Sequence, residues 1–247
     1  MLDDEYEKMF QLEERHWWFA AKRNYVRTVL DLFLSKNNLR VLDLGCGTGS
    51  MVELLKGYGR VFGMDSHRSA CNYSSQRTKA PLVQGDANRL PFKMGSFDLV
   101  SAFDLLYHQG IQDDEAVIQE VYRLLSSRGF FLITDSAFAF LKSRHDLAVM
   151  ARHRYTLSEL SAKMKKAGFE IVKKSYLFFV TFPAVMLSRL WSKILLTVGS
   201  PVIRSDLKPT NPVINCFLKK LLFLEGRLLK SFDLPLGSSL LILGRKA

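Results

Sequence analysis

The chain has 247 residues, with 35 Lys and Arg against 24 Asp and Glu and a formal net charge of +11. That length buries a full core as one large domain, and the basic excess points to an anionic partner, either a membrane surface or a nucleic acid. Cys46, Cys71 and Cys216 share no metal-ligand spacing and make no disulfide framework, which argues against a metal centre and a secreted scaffold and predicts a reducing cytoplasm.

No run of about 18 apolar residues suits a spanning helix, and the acidic start lacks the cationic and then apolar pattern of a signal peptide. Residues 1–38 read as two helices. Asp3 or Asp4 is placed to cap the first, and acids crowd its first turn, where the helix dipole favours them. It ends near His16-Trp17-Trp18-Phe19, an aromatic cluster too dense to be left in water. The second helix, Ala21 to Leu34, carries Tyr25, Val26, Val29, Leu30 and Phe33 on one face. Two roles are open for this leader: plain cover for a sheet, or Trp17 and Trp18 as the roof of a ligand cleft.

Leu39-Arg40-Val41-Leu42-Asp43-Leu44 then runs into Gly45-Cys46-Gly47-Thr48-Gly49-Ser50. Val41, Leu42 and Leu44 suit a buried parallel strand, the glycines a tight turn that lets a ligand approach the backbone, and Met51, Val52, Leu54 and Leu55 a following helix. A P-loop needs Gly-Lys-Ser/Thr, but Gly49 is followed by Ser50 and Met51. The dinucleotide fingerprint needs glycine at position 50, and Asp43 would repel a pyrophosphate. An acid here suits a cationic, phosphate-free ligand. S-adenosylmethionine, with an ammonium and a sulfonium centre, is one. Asp43-Leu44-Gly45-Cys46-Gly47-Thr48-Gly49 resembles motif I of the class I S-adenosylmethionine-dependent methyltransferases, which implies that Asp43, Gly45, Cys46, Gly47 and Gly49 hold that cofactor. The leader, His16 to Phe19 followed by Lys22 and Arg23, is similar to one carried by many bacterial methyltransferases of this class. Arg23 is either a partner for the cofactor carboxylate or an ordinary surface arginine.

The next strand, Arg60 to Asp65, places Asp65 twenty residues beyond Gly45, at a neighbouring strand tip where a carboxylate accepts both hydroxyls of a ribose. Ser66 and His67 open the helix after it. Leu82 to Ala87 is the third strand with its exit, and the resemblance implies that Asp86 and the Ala87 amide read the adenine. Leu90-Pro91-Phe92 followed by Phe97-Asp98-Leu99-Val100 resembles the family's entry to the fourth strand, with Asp98 structural. At that strand's exit the resemblance makes Phe103 and Asp104 rim residues of the active site and His108 a candidate proton acceptor.

Asp113 to Leu125 reads as a helix, Ser127-Arg128-Gly129 as its stop and Phe130 to Thr134 as the fifth strand. Asp135 to His153 is a loop with a short helix. His153-Arg154-Tyr155-Thr156 resembles the family's stretch before a helix. Thr156 caps that helix with Glu159 at the capping-box position, and His153, Arg154 and Tyr155 are candidates to touch an anionic acceptor. Glu170 to Phe182 holds the sixth strand and Ser239 to Gly244 the seventh, an antiparallel pair.

Between these two strands lies an insert, 183–236, far longer than a hairpin needs. Its first amphipathic stretch carries Val185, Leu187, Trp191, Ile194 and Val198. Its second opposes Ile214, Phe217, Leu218, Leu221, Leu222, Leu228 and Leu229 to Lys219, Lys220, Arg227 and Lys230. From 183 to 231 eight Lys/Arg face two acids, Asp206 and Glu225, which suits an anionic membrane interface. A hairpin packed on its own domain and a dimer interface are the competing readings.

The resemblance implies an α/β fold: a Rossmann-like seven-stranded sheet of order 3-2-1-4-5-7-6, strand 7 antiparallel, with helices on both faces. It is one domain, comprising leader 1–38, core 39–182 with 237–247, and helical insert 183–236. The resemblance implies an enzyme that moves a methyl group by in-line displacement to a small-molecule or lipid-linked acceptor and releases S-adenosylhomocysteine. His108 or His153 is the candidate base for a hydroxyl acceptor, and no metal is required. An RNA methyltransferase is the runner-up, without the Asn/Asp-Pro-Pro-Tyr/Phe run or an added RNA module. A non-catalytic, membrane-docked cofactor-binding protein is the third reading.

Overall fold

The computed structural model describes residues 3–35, 38–196 and 207–247. Val198 and Asp206, named above for the insert, lie outside the described residues. The leader forms α1 (Asp3–Leu12) and α2 (Trp17–Phe33). The core follows with β1 (Leu39–Leu44), α3 (Ser50–Leu55), β2 (Gly59–Asp65), α4 (Arg68–Arg77), β3 (Leu82–Gln84), β4 (Phe97–Phe103), α5 (Asp114–Leu124) and β5 (Leu125–Ser136). Then come α6 (Arg144–Ala148), α7 (Leu157–Lys166), β6 (Phe169–Leu177), α8 (Phe182–Leu196), α9 (Pro212–Leu228) and β7 (Ser239–Lys246).

The seven strands make one sheet of order β3-β2-β1-β4-β5-β7-β6, with β7 antiparallel to both β5 and β6. This is the order the motif resemblance implied. Alternate side chains of each strand feed opposite faces. Leu42, Val100 and Ile242 join Val117, Val121 and Leu160 of α5 and α7 on one side. Val41, Leu99 and Leu241 join Tyr25, Val26 and Val29 of α2 and Leu222 of α9 on the other. Because both faces are covered, the central strands read as near-continuous apolar runs.

Three boundaries differ from the sequence reading. β5 begins at Leu125, paired with Phe97, and not at Phe130. The intervening residues form an irregularity in the ladder, where Arg128 takes a left-handed φ of 62°. Asp113 stands outside α5 as its cap, accepting from the Glu115 and Ala116 amides at 2.9 and 3.1 Å. β6 stops at Leu177 and not at Phe182. Phe178 turns to φ 63°, and the next two amides, of Phe179 and Val180, donate to the Glu225 carboxylate (3.0 and 2.9 Å) instead of to a strand.

That carboxylate also explains how the insert sits. Glu225, 2% exposed, additionally accepts from the Tyr25 hydroxyl at 3.0 Å, with Leu222 and Leu229 buried beside it. α9 is thus packed along α2 by its inward face, as the hairpin reading required, while an outward apolar flank stays in solvent. No helix among the described residues is long and apolar enough to cross a membrane. Glu225→Ala strands three donors in the interior and should cost about 3 kcal/mol. Urea denaturation should show a lower midpoint at unchanged slope, and Glu225→Gln, which keeps one accepting oxygen, should lose less.

Candidate active site

The site grows from the end of β1. The amides of Gly45 and Cys46 both donate to the Met64 carbonyl (2.8 and 2.9 Å), which folds the chain across the tip of β2. Gly45, Gly47 and Gly49 all have positive φ, at 75°, 52° and 85°, a region that side chains disfavour. At Gly49 the reason is packing: a Cβ there would stand 2.5 Å from Ser74 Oγ. Gly49 caps α3 and does not line the cavity. Its expected contact with the cofactor is therefore corrected to a turn-forming role.

A cavity of about 750 Å³ opens above this turn. Asp43, Gly45, Cys46 and Gly47 line it, joined by Asp65 and Ser66 from the end of β2 and by Asp86 and Ala87 after β3. The sheet thus brings to one cavity the three carboxylates that lie far apart in sequence. Asp43 is 1% exposed. Its Oδ1 accepts from Ser101 Oγ at 2.7 Å, whereas its Oδ2 is buried without a hydrogen-bond partner among the described residues. Burial pushes this carboxyl up to about 7. Asp65 accepts from the Gly47 amide at 3.0 Å and the His67 amide at 2.9 Å. These bonds aim it and leave lone pairs for a diol. Asp86 is exposed and braced by Asn88, whose amide and side-chain nitrogen reach Oδ1 at 2.9 and 2.7 Å.

The leader clamps the glycine turn. Arg77 of α4 holds the Glu13 carboxylate, the Thr48 carbonyl (2.9 Å) and the Phe10 carbonyl (2.9 Å), and Thr48 donates its hydroxyl to Glu13. Arg23 Nη1 donates to the Glu13 carbonyl and to Ser50 Oγ, both at 2.8 Å. It lines the cavity, yet this nitrogen is spent on joining α2 to α3. Trp17 and Trp18 line the cavity too, and Trp18 stacks on Phe178 with centroids 5.5 Å apart.

Phe103 and Asp104 at the exit of β4 form the floor of the cavity. Asp104 adopts φ 52°, an uncommon conformation for a residue with a side chain. Its carboxylate pairs with Lys22 of α2, whose Nζ also lies 5.0 Å from the Trp18 ring centre. Lys22 is only 5% exposed, and the sequence reading placed it in the leader without a partner. The signal was present, since it occupies the same helical stripe as Tyr25, Val26 and Val29, where a lysine has no business unless paired.

The histidines part company. His108 lines the cavity, and its Nδ1 accepts from the Gly110 amide at 3.0 Å. Burial lowers its pKa to about 4. At neutral pH the ring is therefore uncharged, and with Nδ1 accepting from Gly110 its proton sits on Nε2. His153 lies outside the lining, with Nε2 2.8 Å from Glu159 Oε1. Glu159 spends this oxygen on His153, while Thr156 accepts from the Glu159 amide at 3.2 Å as the cap. Arg154 reaches the cavity, but its guanidinium is forked onto Asp146 (2.6 and 3.1 Å) and the Ala137 carbonyl. Tyr155 is fully buried, donates to Asp114 and does not line the cavity.

Residues 42–133 match the family model described as a methyltransferase domain. Over this stretch the chain is similar to the class I S-adenosylmethionine-dependent methyltransferases. A demethylmenaquinone methyltransferase from Thermotoga maritima is 30% identical over 139 residues, 54% of this chain and 59% of that protein. A malonyl-[acyl-carrier protein] O-methyltransferase from Legionella pneumophila is 32% identical over 102 residues, 38% of this chain and 35% of that one. The chain therefore spans less than two thirds of these curated relatives. In fold it is similar, with a TM-score of 0.62 and 19% identity, to an S-adenosylmethionine-dependent methyltransferase of known structure from Thermotoga maritima, over 99% of this chain and 95% of that one.

The residues present fit the cofactor of this family. The orphaned Asp43 oxygen suits a cationic group, Asp65 a ribose, and the left-handed glycine turn a close backbone approach. The unliganded protein should lose stability as pH rises through about 7. The folded-state pKa of Asp43 is raised from about 3.8, so this stability is fully present below about pH 4 and declines above it. A cation selects the ionised form, so binding of S-adenosylmethionine below pH 7 should expel a proton. Calorimetry in buffers of different ionisation heat should register this, and Asp43→Asn should abolish the buffer dependence and weaken binding about tenfold or more. Lys22→Met leaves the partly exposed Asp104 unpaired and should cost about 2 kcal/mol in thermal or urea unfolding.

Proposed function

We propose that this chain transfers the methyl group of S-adenosylmethionine to a small-molecule or lipid-linked acceptor held between the leader and the insert. The observation that carries the reading is the unpartnered, fully buried Asp43 oxygen facing the same cavity as Asp65 and Asp86. When bound, the cofactor supplies an electrophilic methyl group on a sulfonium centre. The chain's own residues then have three tasks: holding, drying and orienting.

Asp43 and Asp65 hold, the first by charge and the second by accepting hydroxyls. Trp17 and Trp18 exclude water. The Lys22–Asp104 pair fixes the leader to the floor beside Phe103, and so sets the height of the space left for an acceptor. The outer part of the cavity is lined by Thr181, Ala184 and Val185 of the α8 region, Leu218 of α9 and Val149 near α6. That lining suits an acceptor with an apolar body. Relatives named for demethylmenaquinone and for a malonyl-acyl carrier protein are in keeping with a small or carrier-linked acceptor. His108 lines the same cavity, with its ring held through Nδ1 by the Gly110 amide.

Calorimetry with S-adenosylmethionine, S-adenosylhomocysteine and NADH should give heat for the first two and none for the third. Incubation with isotopically methyl-labelled donor and cell lipid or metabolite extracts should then yield a labelled product by mass spectrometry. Binding of NADH in place of the methyl donor would refute the reading.

A further inference from the structure

We propose that the outward flank of α9 docks on the surface of an anionic lipid bilayer and brings the cavity mouth to it. The docking itself stands apart from the methyl-transfer reading, but delivery of a lipid-linked acceptor to the cavity rests on it. Val213, Phe217, Leu224 and Leu228 are 77%, 63%, 55% and 49% exposed. Their spacing of four, seven and four residues lays them along one side of a helix of 17 residues. Lys220 and Arg227, both exposed, run parallel to them on the adjoining side.

The flank is held rigidly. Its opposite face is anchored by Leu222, Leu229 and Glu225, and its first turn by Asn215, which accepts from the Trp17 amide at 2.7 Å and donates to the Arg15 carbonyl at 2.9 Å. That anchoring joins α9 to the aromatic roof, and Leu218, beside Phe217, lines the cavity. The stripe and the cavity therefore meet at one end of the same helix.

Charge decides the occupant. Glu225 is the sole acid of α9, and it is turned inward. What remains outside is an apolar row beside a purely cationic row, the complement of a surface that is uniformly anionic at its headgroups and apolar beneath them. A second copy seated isologously on this flank would set Lys220 and Arg227 against the same cations of its partner, which disfavours a dimer.

The test uses the full chain with vesicles of phosphatidylcholine, with and without phosphatidylglycerol. The protein should sediment with the vesicles containing phosphatidylglycerol, stay in solution with phosphatidylcholine alone, and be released by salt. Lys220→Glu with Arg227→Glu should lower partitioning about tenfold or more, and Phe217→Asp with Leu224→Asp should abolish it. Heat of S-adenosylmethionine binding should be unchanged in both variants, which shows that they fold. Vesicle binding without cofactor heat would uphold docking while removing the methyl-transfer reading. Equal soluble fractions with both vesicle types would overturn the proposal. So would a wild-type dimer in analytical ultracentrifugation that the Phe217→Asp and Leu224→Asp variant dissolves and that ignores vesicles.

Discussion

A carboxylate buried with one oxygen unsatisfied is the constraint on which the rest of this structure turns. Taking a charge out of water costs several kcal/mol unless a partner offsets it. Asp43 faces Ser101 directly across the pairing of β1 and β4, so the register of the two central strands supplies one hydrogen bond and no counter-charge. The chain therefore rests near the boundary between a neutral and an ionised group at physiological pH, and a cation in the cavity tips it. The glycine turn, the second carboxylate on β2 and the clamp around Glu13 are all assembled about the cavity that this one group lines.

The cover over this group is made by parts of the chain far from the motif that defines the family. The family match spans 42–133, yet Trp17, Trp18 and Lys22 come from before it, and Thr181, Val185 and Leu218 from after it. Leader and insert act as one layer, since α2 and α9 are joined through Tyr25, Glu225 and Asn215. This division of labour fits the general behaviour of doubly wound folds. The strand ends provide a standard ligand platform, and inserted or appended helices decide what else enters. The acceptor reading and the membrane reading both draw on this layer, and the cofactor reading does not.

Much of this was legible beforehand. The strand order, the antiparallel last pair and the place of Asp86 were implied by the motif resemblance, and the strand-end positions of Asp43 and Asp65 by the spacing of a βαβ chain. The boundaries that slipped, at Phe130 and Phe182, lie where a ladder irregularity or a left-handed residue interrupts the pattern of alternating side chains. Gly49 misled for a related reason. In sequence it is one more glycine of the turn, while in space it meets Ser74.

The sequence by itself determined the platform, since periodicity and turn chemistry act between residues a few positions apart. Only the tertiary structure decided which charges are paired and which histidine lines the cavity. Lys22 finds Asp104 across 82 positions and Tyr25 finds Glu225 across 200. The ionisation of Asp43 and His108 depends on how deeply neighbouring layers bury them, a property of the packed whole that no local pattern encodes.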